Sequence, residues 1–482
     1  MDIDEDNNQN LRGTTRGIST PVILVDNNHP FDIEAYSSSY TGRTAVDRLV
    51  YIINICPQLA VPALQLAVQH IFKTRDVDLY RNIAGAYDVM AVNAQLPPAA
   101  EVAPLDQVWY DEWTSKNLAE KTRLEVELKT YTSNMIKESI RMAHRDLGQF
   151  YLSVGDYTGA LKHFTKIRES CTTSQHVVDM CIAILELLIL QGNYSHISTY
   201  VFKADTALDA ASNAASASTT PVIPGTGPAK KSQERAKWQT KLDFASALAH
   251  LGQGNYEKAA NLFLKLGPVK ELGEWVGKLI APGDIGIAGT LCALASLSRS
   301  AIKSQLLENE SFSIYIEYEP YVRELVEAYM ASKFSTVLDL LERYSARHLV
   351  DIHFGQHIKN LTDLIKSRAL VLYFQPFSSI KLERMATAFG WTVQQVEEQV
   401  VSLIQAGEIR GRVDSQNKIL KAKEADARSE LFARALRSGK EMQAANRKLL
   451  LRMRLQQADL IVKAPKNRGE GTAPRQTEYF NE

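Results

Sequence analysis

The feature that most constrains this chain is a pattern that recurs with its spacing intact. In "LGQFYLSVGDYTGALKHF" (147–164) and "SALAHLGQGNYEKAANLF" (246–263), a Gly is followed by Tyr two positions on, Ala five on and Phe nine on. The residues are Gly155, Tyr157, Ala160 and Phe164, then Gly254, Tyr256, Ala259 and Phe263. Gly192, Tyr194, Ile197 and Val201 keep the register, and Ser332, Phe334, Val337 and Leu341 keep it more loosely. This is the signature of a helical hairpin. The Gly ends one helix in a left-handed cap, and the aromatic packs in the turn. The small residue lets the second helix approach the first, and the large apolar residue fills the gap between them. Gly155 and Gly192 are 37 residues apart, close to the tetratricopeptide period of about 34. Gly192 and Gly254 are 62 apart, which fits one period interrupted by an insertion of about 28 residues.

Helix-like apolar spacing continues from Phe31 to about residue 408, and alternating strand patterns are nearly absent. The expected fold is therefore mostly α, with tetratricopeptide-like helical repeats over 31–350 forming a solenoid. The insertion is expected at 203–235, which contains "AASNAASASTTPVIPGTGPAKKS". Low-complexity sequence of this kind buries too little apolar surface to offset its ordering entropy, so a flexible insert is expected. Within it "PGTGPAKKS" (224–232) approaches the phosphate-cradling loop, Gly, four residues, Gly, Lys, then Ser or Thr. It fails that motif: the second Gly is Lys230, Pro228 lacks a backbone N–H, and no strand precedes it.

Composition narrows the class. Formal net charge is zero, so the whole molecule has no bias toward polyanions. The ends differ. Asp2, Asp4, Glu5 and Asp6 make an acidic start, and 1–30 is expected to be disordered. Between Arg447 and Arg468 seven basic residues face the single acid Asp459. Cys56, Cys171, Cys181 and Cys292 are far apart with no Cys-x-x-Cys, which argues against a zinc ribbon or a disulfide framework. The polar, acidic N-terminus does not read as a signal peptide. The longest apolar run, Val177–Leu190, carries Asp179 and Glu186 and is shorter than the ~20 residues of a membrane span. A soluble protein of the cytoplasm and nucleus is expected, without a membrane partner.

After Gln356 the pattern changes. A helix over about 357–374, a short helix over about 379–389 and a third from Val393 to about Ala406 are expected, the last opened by a Thr392/Gln395 capping box. Two short strands follow, Ile409–Val413 and Lys418–Lys421, joined by the turn 414–417. Two helices and a β-hairpin make a winged helix, placed at 351–423. Beyond it a long helix is expected over 424–462 and a disordered tail over 463–482. That helix bears the stripe Leu431, Ala435, Met442, Ala445, Leu449, Met453 and Leu460 at three- and four-residue steps. A stripe beyond the last domain has no obvious core of its own chain to cover, and suggests a helix bundle with partners; the alternative is that it folds back on the chain's own repeats.

Chemical motifs are few. "HFGQH" sets His353 and His357 four apart, the spacing for a shared zinc on a helix, with His348 nearby. Phe354 stands where a zinc protease needs its Glu base, and Gly355 weakens the helix. No Gly-x-Ser-x-Gly elbow is present, and the cysteines read as small buried hydrophobes. No catalytic residue, cofactor or metal is expected. A winged helix can enter the DNA major groove, but its short helix offers only Lys381 and Arg384, and the wing only Arg410, Arg412 and Lys418. Nucleic-acid contact is therefore not the expected use. The other use of a wing is strand addition at its edge.

Helical repeats running into a winged helix resemble the PCI domain, the module shared by the proteasome lid, the cullin-deneddylating signalosome and translation initiation factor three. "RALVLYFQPFSSIKLERMATAFGWTVQQVEEQVVSLIQAGEIRGRVDSQNKIL" (368–420) looks like its winged-helix half. Residues 31–67, "IAGTLCALASLSRSAIKS" (287–304) and "VDSQNKIL" (413–420) are similar to the subunit-one family of the signalosome. The resemblance covers about 31–425, and the insert at 203–235 departs from it. It implies a non-catalytic scaffold, in a complex that removes a ubiquitin-like modifier from the cullins of cullin-RING ligases. It further implies signalosome subunits two and three as neighbours. Transferred by position, Ile409, Arg410, Arg412, Val413, Lys418, Ile419 and Leu420 would form a lateral contact through the wing edge. The stripe from Leu431 to Leu460 would enter a shared helix bundle. The alternatives are the homologous PCI subunit of the proteasome lid, or a nucleic-acid-binding PCI protein using the basic segment 447–468.

Overall fold

A computed structural model describes residues 25–26, 28–104, 106–217, 228–423 and 427–460, with backbone only at 211–217, 228–233, 427 and 430. The expected disordered tail and nearly all of the expected disordered start lie outside these residues. Two compact units emerge, one formed by the chain to Ile409 with Val413–Leu420, the other by Arg410–Arg412 and the chain from Lys421.

The first unit is helical, and it begins with a core of its own. Helices Ile33–Ser38, Gly42–Ile55, Ala60–Ile71 and Val77–Ala94 bring together Leu49, Ile52, Ile53, Leu64, Ile71, Ile83 and Tyr87. Local chemistry sets their starts: Asp32 accepts from the Glu34 and Ala35 amides, and Asp76 from that of Leu79. A 27-residue helix, Gln107–Ser133, then leads into the repeats.

The hairpins form in the expected register. Lys137–Val154 pairs with Tyr157–Lys166, Ser174–Leu190 with Ile197–Ala217, and Pro228–Gly252 with Tyr256–Phe263. Pro320–Met330 with Phe334–Arg343 makes the loosest copy. Gly155, Gly192 and Gly254 have φ of +88°, +66° and +77°, and Ser332 takes the same left-handed place at +59°. Ala160, Phe164, Ala259 and Phe263 are fully buried between their helices. Enclosing each Phe contributes about 1.5–3 kcal/mol. Packed against the third hairpin is Pro282–Ser296, buried from Pro282 to Ala295; a helix apolar on all sides belongs inside.

The insert is where expectation and structure part. Residues 203–217 continue helix Ile197–Ala217, and 228–235 open helix Pro228–Gly252. Low complexity argued against burial, yet Ala is the strongest helix former, and Pro228 sits at a helix's first position, where its missing N–H costs nothing. Only 218–227 is outside the described residues, and the glycines of "PGTGPAKKS" fall there; its Pro228–Ser232 half is helical.

The winged helix consists of helix Ile358–Phe374, strand β1 (Ser379–Lys381), helices Leu382–Phe389 and Val393–Gln405, and strands β2 (Gly411–Asp414) and β3 (Ile419–Ala422). The capping box is present in both directions between Thr392 and Gln395. The expected short helix of 379–389 gives up its first three residues to β1. The sheet order is β1-β3-β2. Among the described residues no helix is long and apolar enough to cross a membrane.

Candidate functional site

The motif "HFGQH" shows what its residues do once folded. It is not α-helical: it runs through a turn into a 3-10 turn, Gly355–His357, so the two histidines do not share a helix face. Each instead meets a repeat tyrosine. The Tyr194 hydroxyl and His353 Nδ1 hydrogen-bond at 2.8 Å, and the Tyr256 hydroxyl and His357 Nδ1 at 3.2 Å. The other two repeat aromatics also leave their own hairpins. Tyr157 lies 4.9 Å beneath the Arg43 guanidinium, and Phe334 stacks on Phe389 of the winged helix at 5.3 Å, with planes 3° apart. The aromatic position in the repeat is thus a docking position. It ties the hairpins to the N-terminal core, to the 351–357 turn and to the winged helix.

A buried charge network surrounds that turn. Asp351 accepts from the His353 and Phe354 amides at 2.7 and 3.1 Å and from Arg48 Nη1 at 2.6 Å. Arg48, only 1% exposed, also donates to the Tyr36 hydroxyl at 2.7 Å and lies 3.6 Å from Asp284. Asp284 also receives Arg347 at 2.7 Å and Tyr40, and Arg347 reaches Glu319 at 2.8 Å. Burial pushes the Asp351 carboxyl up, but the Arg48 guanidinium, His353 and their hydrogen bonds outweigh it and hold it at about 2. Burial lowers His353 to about 4, and burial with the Arg347 charge lowers His348 to about 3, so both are neutral at pH 7. His348 Nε2 and the Tyr321 hydroxyl are 2.9 Å apart. Every carboxylate in this network faces an arginine. Among the described residues no group of three or more His, Cys, Asp or Glu is placed to hold a metal ion. The arrangement fastens helices together.

The seven wing residues divide. Ile409 and Leu420 are buried and belong to the core. Ile409 precedes β2, and Lys418, at φ +52°, closes the turn before β3. Lys418 is also committed within the chain, to Glu397 at 2.7 Å. β3 is the middle strand, so Ile419 and Leu420 have backbone neighbours on both sides and offer no free edge. That corrects the expected edge. The edge strands are β2, with Arg412 and Val413, and β1, which the sequence reading had placed inside a helix. Arg410 immediately precedes β2 and is exposed.

The C-terminal helix is Ala427–Gln457, with Leu460 three residues beyond its end and 461–462 outside the described residues. Every residue from Leu431 to Leu460 is exposed. Leu431, Met442, Leu449, Met453 and Leu460 are 55–70% exposed, joined by Phe432, Leu436, Leu450 and Leu451. Contiguous exposed apolar surface is a feature that contact sites share.

Two family models match the chain: "26S proteasome subunit RPN7" over residues 106–305 and "PCI domain" over 341–424. A protein of Arabidopsis thaliana, "COP9 signalosome complex subunit 1", is 35% identical over 88% of this chain and 90% of its own length. "COP9 signalosome complex subunit 1b" of Drosophila melanogaster is 33% identical over 92% of this chain and 89% of its own. The Arabidopsis "26S proteasome non-ATPase regulatory subunit 6 homolog" is 18% identical over 71% of this chain and 81% of its own.

Proposed function

Since the chain belongs to the COP9 signalosome subunit 1 family, we propose that it is a non-catalytic scaffold of that complex, in which cullins of cullin-RING ligases lose a ubiquitin-like modifier. The observation that carries the scaffold reading is the C-terminal helix, whose apolar stripe is exposed along its whole described length. Exposed apolar surface of that kind is what partner helices would cover. In this reading the stripe Leu431, Ala435, Met442, Ala445, Leu449, Met453 and Leu460 enters a bundle with the equivalent helices of other signalosome subunits. The exposed edge of β2 makes a lateral contact, with subunits two and three as neighbours, in the cytoplasm and nucleus. The internally matched charges of the 284–357 region support a structural role for the rest of the chain.

Co-expression of the full chain and a chain lacking 424–482 with the other subunits tests this. Loss of the truncated chain from the purified complex is expected. Unchanged recovery of every partner would remove the bundle assignment. Mass spectrometry of what the full chain captures separates signalosome from proteasome-lid partners in the same preparation.

A further inference from the structure

One face of the wing carries a row of basic residues, with Asp414 at its far end. The Arg410 carbonyl accepts from the Lys423 amide at 2.9 Å. In an antiparallel ribbon that bond sets Arg410 opposite Lys423 and, two residues on, Arg412 opposite Lys421. The strand bounds agree, pairing Gly411 with Ala422 and Asp414 with Ile419. Arg412, Lys421 and Lys423 are all exposed, and Arg410, which has a contact of its own, completes the row. Two like-charge pairs thus stand directly across from each other on one face, an arrangement that destabilises a ribbon by itself. The same register turns the N–H and C=O groups of Gly411 and Val413 away from β3, to the side of β2 where no described strand lies.

We propose that this edge accepts an extended acidic segment of a partner protein, with carboxylates at alternate positions beside Arg412, Lys421 and Lys423. The proposal rests on the reading of β2 as a lateral contact and names the chemistry of what it admits. The geometry favours a peptide over a nucleic acid. A strand pairs with both the outward N–H and the outward C=O groups of Gly411 and Val413 as well as the charges, whereas phosphates accept from N–H groups and charges but leave the C=O groups unpaired. No aromatic residue lies in 410–414 or 419–423 to stack a base. The excess of positive charge on this face selects an acidic neighbour.

Two full-length variants, each co-expressed with the other signalosome subunits, separate the layers. Gly411→Pro with Val413→Pro removes only outward-facing donors and blocks any strand addition. Arg412→Glu with Lys421→Glu and Lys423→Glu keeps the edge and reverses its charge. Loss of a neighbouring subunit from the complex in both variants is the expected result. Loss with the proline pair but not with the charge reversal would overturn the acidic-partner proposal and leave the lateral contact standing. Loss with neither would overturn both. A binding assay on the full chain uses an acetylated octapeptide of alternating Asp and Val. Binding at low salt, weakened about tenfold or more by the charge reversal or by raised salt, is expected. A ten-residue oligothymidylate is the competing probe, and tighter binding of it than of the peptide would overturn the proposal in favour of nucleic acid. The neutral triple Arg412→Gln, Lys421→Gln, Lys423→Gln keeps the test sound if the reversed variant misfolds; it should bind the peptide at an intermediate strength, and wild-type affinity would overturn the proposal.

Discussion

The turn at Asp351–His357 and the helix Ala427–Gln457 lie at opposite extremes of polar and apolar accounting. Around the turn, charges are taken out of water and each is met inside the chain: Arg48 by Asp351 and Tyr36, Arg347 by Asp284 and Glu319. Along the helix, nonpolar side chains are left in water and none of those described is covered. The first region owes its stability to groups the chain supplies itself. The second, in the proposed reading, is complete only in company. Stability measurements on the isolated chain should therefore respond to substitutions in the first region and ignore those in the second, and assembly measurements should show the reverse.

The largest effect on stability is expected from Arg48→Met. It leaves Asp351 and Asp284 buried beside one cation fewer, and stranding a buried charge costs about 3–5 kcal/mol. Thermal or denaturant unfolding reads this directly. A loss below about 1 kcal/mol would show that the network is not what holds the N-terminal core to the turn. Acid should act on the same place. His353 and His348 titrate in the unfolded chain near pH 6.5 but in the folded chain only at about 4 and about 3. Their folded values are depressed, so the stability they contribute is present above pH 6.5 and drains as pH falls toward 4. Unfolding takes up one proton for each in that window, a slope of up to about 1.4 kcal/mol per pH unit per histidine. Asp351, held at about 2, adds a further loss only below its unfolded value of 3.8. Denaturant midpoints between pH 7 and 4.5 test this, and a flat profile would mean that these histidines are not buried neutral.

What could be read from residues alone follows the same divide. The hairpins were legible because a Gly cap, a small contact residue and a large filler act within about ten residues. The exposed stripe was legible because helical periodicity is local too. The network was not: Arg48 sits in "VDRLVYIINI", Asp284 opens an apolar helix, and Asp351 lies in an unremarkable turn. Only folding brings positions 48, 284 and 351 together. "HFGQH" has the spacing of a shared zinc on a helix, yet what its histidines meet is not written there, since the repeat tyrosines that claim His353 and His357 lie 159 and 101 positions upstream. β1 was missed because three residues carry no periodicity, and the strand order, which decides which wing residues have a free edge, is set by pairing. The Ala-rich flanks of the insert show propensity and burial giving opposite answers, with propensity winning. The proteasome subunit model matches residues 106–305, whereas the 35% and 33% identities to signalosome relatives run through nearly the whole chain.

A smaller effect separates the docking aromatics from the hairpins they belong to. Tyr194→Phe keeps the ring and removes only the bond to His353, which should cost about 1 kcal/mol. It should also alter the His353 imidazole resonances, visible by NMR. An unchanged stability and spectrum would return Tyr194 to the ordinary role of a turn filler.

On the exposed side, Leu449→Asp with Met453→Asp should change the stability of the isolated chain by less than about 0.5 kcal/mol, because neither side chain is buried there. The same pair should cost the chain its place in the complex. Gly439 gives the finest discrimination. It lies inside the 31-residue helix, and a Cβ built there meets no atom within 4 Å. Replacing an exposed helical Gly with Ala gains roughly 0.5–1 kcal/mol of helix stability. Nothing in the isolated chain needs the glycine, so Gly439→Ala should raise helicity by circular dichroism and leave the unfolding of the rest unmoved. In the assembled complex the outcome depends on how closely a neighbouring backbone approaches that point. Improved incorporation would place Gly439 on the water-facing side of the bundle. Weakened incorporation, despite the gain in helicity, would place it at a close helix crossing and fix which face of the stripe is covered.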